Sequence, residues 1–418
     1  MATENNNKNL NVPNKREQSQ TCLSYADRAE QSPQGNVPNL RFPEFSGEWD
    51  RYKLEEVATI SKERIGVDML SSKNYISTEN MRSNFGGVGE ATNLPASGNV
   101  MKFQQGDTLL SNIRPYLKKI WKAEFSGGCS ADIFVFRSNT LCNQDFLYYT
   151  LANEKFISYA MSGAKGVKMP RGDKEQMLKY ELHLPTTTEQ DKITSLLSLL
   201  DERIATQIKI IEKLESLIRG LITDVNSGRI AQCKSVYLRD LLIEQHEKNT
   251  NNYEVCSVSV SQGVINQIDY LGRSFAAKEV LHYNVVNCGD IVYTKSPTGE
   301  FPYGIVKRSD ITKPVAVSPL YGVYRPINDY VGRYLHLYFK SPINAKNYLH
   351  KLIQKGAKNT INITNQHFLN NKILIPEKGW LDKIVKFAAA IEMKIATENK
   401  VLQTLQQQKD YLLSKMFI

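Results

Sequence analysis

Three stretches carry the residue types that could do chemistry in this chain: SNIRPYLKKIWK (111–122), GAKGVKMPRGDK (163–174) and KGAKNTINITN (355–365). Each sets lysine or arginine among glycines and amide or hydroxyl side chains. Cations of this kind neutralise phosphates, while amides and guanidinium forks match the donors and acceptors on base edges. The chemistry on offer is binding, not bond breaking. The candidate contacts are Arg114, Lys118, Lys119, Lys165, Lys168 and Arg171 in the first half of the chain, and Lys295, Lys307, Arg308, Lys355, Lys358 and Asn359 in the second. For any one of them the plain reading is a solvated surface side chain, and the stretches carry more weight than their members.

Motifs for catalysis are missing. No Gly-x-Gly-x-x-Gly follows a strand pattern and no Gly-Lys-Ser/Thr closes a phosphate loop. FGGVGE (85–90) has the glycines of such a loop without the strand and helix around it. No Asn/Asp-Pro-Pro-aromatic tetrapeptide of an adenine amino-methyltransferase occurs, and the RGD at Arg171 reads as chance in a basic loop. The six histidines form no metal or nucleophile pattern, and the six cysteines contain no Cys-x-x-Cys pair. The expectation is a non-catalytic chain with free thiols, no metal and no cofactor of its own.

Bulk properties agree with a binding protein. The 418 residues carry a net charge of +10 and a pI near 9.1, which favours a polyanionic partner without proving one. A hydrophobic fraction of 41% supports two or three globular domains. No apolar run approaches the roughly 18 residues of a membrane span, and the amino end lacks a signal core. The expected location is the cytoplasm, away from membranes.

The elements that must position the basic stretches emerge from an internal repeat. Residues 1–39 are rich in Asn, Gln, Glu and Ser and read as a disordered polar tail. Beyond it, each half opens with an amphipathic piece, YKLEEVATI (52–60) and VYLRDLLIE (236–244). Each continues through β-rich runs around a Gly-Asp turn, FQQGDTLLSNI (103–113) and VNCGDIVYTKS (286–296). Each then carries a glycine-lysine stretch and ends on apolar-Pro before a long helix, with Pro185 and Pro376 lying 191 residues apart. That period is too long for a solenoid. It implies a first α+β domain at 40–185, a central helix at 186–228, a second domain of the same plan at 229–376, and a distal helix at 377–418.

The central helix opens with Thr186/Glu189 and Thr187/Gln190, both at capping-box spacing. Ile193, Leu197, Leu200, Ile204, Gln207, Ile211 and Leu214, continuing through Ile218 and Leu221, then alternate four and three apart over about four heptads, as in a coiled-coil seam. The same spacing 191 residues on falls on Ile384, Ala388, Ile391, Ile395, Glu398, Leu402, Leu405, Lys409 and Leu412. Lys409 is out of character there. Gln207 and Glu398 are polar breaks at equivalent places, and an antiparallel pairing is expected to bring them into the same or adjacent layers. Leu196, Ile208, Ile210 and Leu217 make the central helix apolar beyond a two-stranded stripe. That excess is read either as packing against the protein's own domains or as a face for a partner's helices.

Taken together, PNLRFPEFSGEW (38–49), GDTLLSNIRPYLKKIW (106–121), MPRGDKEQM (169–177) and above all LPTTTEQDKI (184–193) resemble the DNA specificity subunit of type I restriction-modification systems, over residues 39–417. Two departures are visible: IPEKGWLDKI (375–384) lacks the Glu-Gln expected after the second proline, Pro376, and the segment before Asn36 is longer than usual. The resemblance implies two similar target-recognition domains separated by two long antiparallel coiled-coil helices in a pseudo-twofold repeat, each domain reading one half of an asymmetric split site in double-stranded DNA. It further implies two methyltransferase subunits, which bring S-adenosylmethionine and dock on the helices, and restriction (motor-nuclease) subunits that use ATP and Mg. A self-contained DNA methyltransferase or nuclease, and a coiled-coil scaffold without a DNA role, are the alternatives.

Overall fold

The computed structural model describes residues 35–271, 279–355 and 361–418. The residues divide into two compact units: those through Leu199 together with Gln408–Ile418, and Leu200–Gln407.

The first unit is closed by its ends. Strand Asp50–Lys53 runs antiparallel to Glu181–Leu184, with Asp50 opposite Leu184. Between them lies a four-stranded sheet in the order Ala58–Ile60, Ile133–Ser138, Thr108–Ser111, Ile120–Lys122. Thr108–Ser111 is buried along its whole length, as an interior strand must be when both faces are covered. Helices Gln144–Leu151 and Glu154–Ser162 follow, each started by an asparagine whose side chain accepts a backbone N–H two residues on, Asn143 from Asp145 and Asn153 from Lys155. Trp49, Leu54, Phe136, Phe146 and Phe156 form the main core. A second sheet, carrying Asn99–Phe103 beside Gly127–Cys129, encloses a smaller core around Phe103, Trp121 and Val135. A Cβ on Gly127 would stand 2.1 Å from the Asn74 carbonyl oxygen, so only glycine fits that crossing.

The second unit repeats the plan. Cys233–Tyr237 pairs with Lys372–Pro376, and its four-stranded sheet runs Leu242–Glu244, Gly322–Pro326, Ile291–Thr294, Ile305–Arg308, in the same relative chain order. Helices Asp329–Lys340 and Pro342–His350 take the places of the first unit's pair. The Gly-Asp turns match in detail. Gly106 and Gly289 adopt φ of +94° and +90°, while Asp107 and Asp290 accept the N–H of Gln104 and Asn287 at 2.8 and 2.9 Å. Each aspartate is buried and meets an arginine from the neighbouring strand: Arg137 forks onto Asp107 with two 2.8 Å bonds, and Arg325 reaches Asp290 at 3.3 Å. The sequence reading anticipated the turns but not these arginines.

The central helix spans Thr187–Asn226 and the distal helix Lys378–Met416. Within the first unit, Ile193 and Leu197 pack in one cluster with Leu413, Met416 and Phe417. Within the second, Ile218, Ile222 and Val225 share a core with Leu381, Ile384, Ala388 and Ile391. There the Gln207 amide donates to the Glu398 backbone oxygen at 3.1 Å and to its carboxylate. Numbers climb along one helix as they fall along the other, so the pairing is antiparallel and the two polar positions share a layer. Leu200 and Leu405 are buried, and Ile204, Ile211, Leu214, Ile395 and Leu402 half-buried, as a seam requires. Lys409 is half-buried with its ammonium 5.7 Å from the Tyr149 ring centre, a cation–π contact that accommodates a cation at a seam position.

Two expectations are corrected. The capping boxes do not form as reciprocal pairs. Thr186 accepts the Glu189 N–H at 3.4 Å, but the Glu189 carboxylate takes two 2.7 Å bonds from Arg41 instead, a stronger charge-assisted fork. The Gln190 amide is likewise drawn outward, donating to the Pro185 and Leu141 carbonyls and accepting the Asn143 N–H at 2.7 Å. At the distal helix start, where the Glu-Gln is absent, Leu381 is buried in the core. Of the residues read as either self-packing or a partner's face, Leu196 packs against the first core and so leaves the partner face, while Ile208, Ile210 and Leu217 are exposed.

Leu197→Ala should lower stability by about 2–5 kcal/mol in denaturant titration, since the side chain is fully buried. Arg41→Met should lower the melting temperature of the full chain, with Arg41→Lys restoring only part because a lysine cannot fork.

Candidate nucleic-acid interface

In the first unit the two basic stretches become neighbours. The Arg114 N–H donates to the Pro170 carbonyl at 2.7 Å, and the Gly172 N–H to the Asn112 carbonyl at 2.8 Å. Residues 111–122 form the expected loop followed by a strand, with a 3-10 turn Pro115–Leu117 between. Residues 163–174 form a small hairpin in which Lys165 and Arg171 exchange two backbone bonds of 2.9 Å, and Gly166 supplies the left-handed turn at φ +101°. Its tip presents Val167, Lys168 and Met169 to solvent.

The loop beside that hairpin is held in costly geometry. Arg114 and Lys118 flank the 3-10 turn with φ of 50° and 52°, and Asn84 and Phe85 have φ of 53° and 58°. These four non-glycine residues are tied together, the Asn84 N–H donating to Leu117 O at 2.9 Å and the Phe85 N–H to Lys118 O at 3.0 Å. Left-handed backbone of this kind costs roughly 1–2 kcal/mol per residue and collects where a ligand is gripped. Three buried side-chain atoms nearby have no hydrogen-bond partner among the described residues: Arg114 Nε, Asn112 Oδ1 and Ser130 Oγ. The Asn112 N–H donates to Asp132 O at 2.9 Å, which places Ser130 close by in the chain. Such orphans call for an external partner, and this set offers both donors and acceptors.

The remaining first-half candidates are partly committed. Lys118 pairs with Glu154, Lys165 with Asp173 at 2.8 Å, Arg171 with Asp132 at 2.7 Å, and Lys119 donates to Thr78 O at 2.5 Å. Exposed ion pairs are worth at most about 1 kcal/mol, so a phosphate can displace the carboxylates. Lys168 is exposed at the tip with no partner among the described residues.

In the second unit, Lys295 is half-buried at the end of the strand equivalent to Thr108–Ser111, the place held by Asn112 in the first. Gln354–Lys355 pairs with Ile361–Asn362, echoing the first unit's hairpin. The Lys355 side chain, and Lys358 and Asn359 altogether, lie outside the described residues. Lys307 and Arg308 are corrections. They are only 3% and 7% exposed, in a fully buried strand, so neither stands where a duplex backbone could lie. The Arg308 guanidinium is spent on Asp310 and on Asp329 at 2.6 Å. Its backbone N–H donates to His336 Nδ1 at 3.2 Å, and burial, with the charges of Lys307 and Lys340, pushes the His336 imidazole down to about 3.

Several cysteines are buried too, and burial raises the Cys129 and Cys142 thiols to about 12, keeping them protonated. Among the described residues no helix is long and apolar enough to cross a membrane.

Below its ordinary value of 6.5, His336 binds a proton in the unfolded chain but not in the folded one until about pH 3. The contribution of His336 to stability should therefore be complete above pH 6.5 and be lost as pH drops through that window. His336→Gln should flatten the fall when melting temperature is measured from pH 7 to pH 4.

Residues 46–216 match the family model described as type I restriction modification DNA specificity domain. Among solved structures, the chain is similar to the type I restriction-modification system S subunit from M. genitalium, at 13% identity and TM-score 0.56, over 91% of this chain and 99% of that one. It is also similar to a chain from a structure described as the basis of complex assembly and conformational transition of the type I R-M system, at 15% identity and TM-score 0.50, over 88% and 97%. No curated protein matches the sequence.

Proposed function

We propose that this chain, whose residues 46–216 match the model of the type I restriction modification DNA specificity domain, is the non-catalytic specificity subunit of such a system. Each lobe reads one half of a split, asymmetric site in duplex DNA. The observation that carries this reading is the meeting of the two basic stretches in the first unit, with Arg114, Asn112 and Ser130 holding buried polar atoms that lack partners among the described residues. Lys168 and the displaceable cations around it would hold phosphates, and the orphan donors and acceptors would read base edges.

The same reading gives the helices two tasks. A helix of 40 residues is about 60 Å long, longer than the roughly 34–36 Å between half-sites one duplex turn apart. The helices would set the gap between the half-sites. Exposed Ile208, Ile210 and Leu217 would receive the methyltransferase subunits. Those subunits would bring S-adenosylmethionine to adenine, and restriction subunits would bring ATP and Mg. The cytoplasm, where the DNA is, is the expected compartment.

Replacing residues 40–185 with the same segment of a different specificity subunit should change only one half of the methylated motif, read by sequencing methylated adenines. A motif that stays whole and unchanged would end the proposal. In DNA-binding titrations of the assembled complex, Lys168→Ala should weaken specific and non-specific binding together and reduce the salt slope by about one. Arg114→Ala should cost about 1–3 kcal/mol on the cognate half-site alone.

A further inference from the structure

Lys307 has no place in the DNA interface, and its surroundings explain what it could do. It lies in the buried strand Ile305–Arg308 of the second unit and is 3% exposed. Among the described residues it has neither an ion pair nor a hydrogen-bond partner. Burial, with help from Lys340, lowers its ammonium to about 8. An isolated buried ammonium is expensive, and proteins keep one where something else supplies the missing charge.

That side chain lines a cavity of about 380 Å³ within the same unit. Ile218 and Ile222 of the central helix form one wall, and Val260, Phe301, Leu337 and Pro342 form the rest of its apolar surface. A volume of this order with a mostly apolar surface, on which Lys307 is a cation unpaired among the described residues, suits a small-molecule site. The other cations at its edge are already balanced, Arg219 by Glu215 at 3.7 Å and Lys340 by Glu392 at 3.4 Å. Glu215 and Glu300 also line the cavity, and their charges oppose any ligand carrying two negative charges.

We propose that this cavity binds a small monocarboxylic acid, its carboxylate on Lys307 and its apolar body against Ile218, Ile222 and Leu337. The acid would be in contact with both the central helix and the second lobe's own helix Asp329–Lys340, so occupancy would fasten one to the other. The inference is independent of the DNA-reading role.

The test is isothermal titration calorimetry on the full chain at pH 7 with 4-phenylbutyrate and with hexanoate as probes, alongside 4-phenyl-1-butanol and inorganic phosphate. Saturable binding of a carboxylate probe, with neither the alcohol nor phosphate binding, is the expected result. Lys307→Met should weaken that binding at least tenfold, and Val260→Trp, which narrows the cavity from its half-buried rim, should weaken it as well. Absence of saturable binding by both carboxylates, or unchanged affinity in Lys307→Met, overturns the proposal. Equal binding of the alcohol overturns it too, because the charge would then be idle. Should Lys307→Met fail to give a native circular dichroism spectrum, Val260→Trp decides: unchanged affinity there places the probe elsewhere.

Discussion

Everything in this fold depends on an apolar seam whose two strands of residues run in opposite directions. The central helix lends Ile193 and Leu197 to one core and Ile218, Ile222 and Val225 to another. The distal helix answers with Leu413 and Met416 in the first and Ile384 and Ala388 in the second. Neither lobe can complete its interior without these borrowed side chains. The buried Gln207–Glu398 contact adds direction to what would otherwise be interchangeable apolar layers, because a slipped register would leave a carboxylate against hydrocarbon.

Polar contacts then hold what the seam cannot reach. Arg41 fixes the start of the central helix through Glu189, and Gln190 fixes the loop before the first short helix. The Asp107–Arg137 and Asp290–Arg325 pairs brace equivalent turns in the two sheets. With the frame so braced, the loops around Arg114 and Lys118 can hold left-handed backbone that a looser scaffold would relax.

What was legible in the sequence is what depends on local periodicity. The Gly-Asp turns and the seam positions rest on spacings within a few turns of one element, and the repeat and the polar layer on the recurrence of those local patterns 191 residues on. Long-range partners were not legible. The threonine and acidic residues at the central helix start satisfy a local capping rule, yet the acid is captured by an arginine 148 residues earlier in the chain. Composition also misjudged Lys307 and Arg308, because a basic pair reads as surface until the strand holding it is seen covered on both faces. The flanking pair Ile305 and Val306, apolar and β-branched, was the available hint. Asn112 and Ser130 escaped notice because uncharged side chains gain meaning only once their missing hydrogen bonds are seen.

The Leu40 N–H donates to the Lys415 carbonyl at 2.9 Å, so the first and last parts of the folded chain touch. The first unit is thereby assembled from the two ends of the described chain. Joining the ends and cutting between the central helix and strand Cys233–Tyr237 would preserve every strand pairing, leaving an order of genetic segments that differs while the architecture does not.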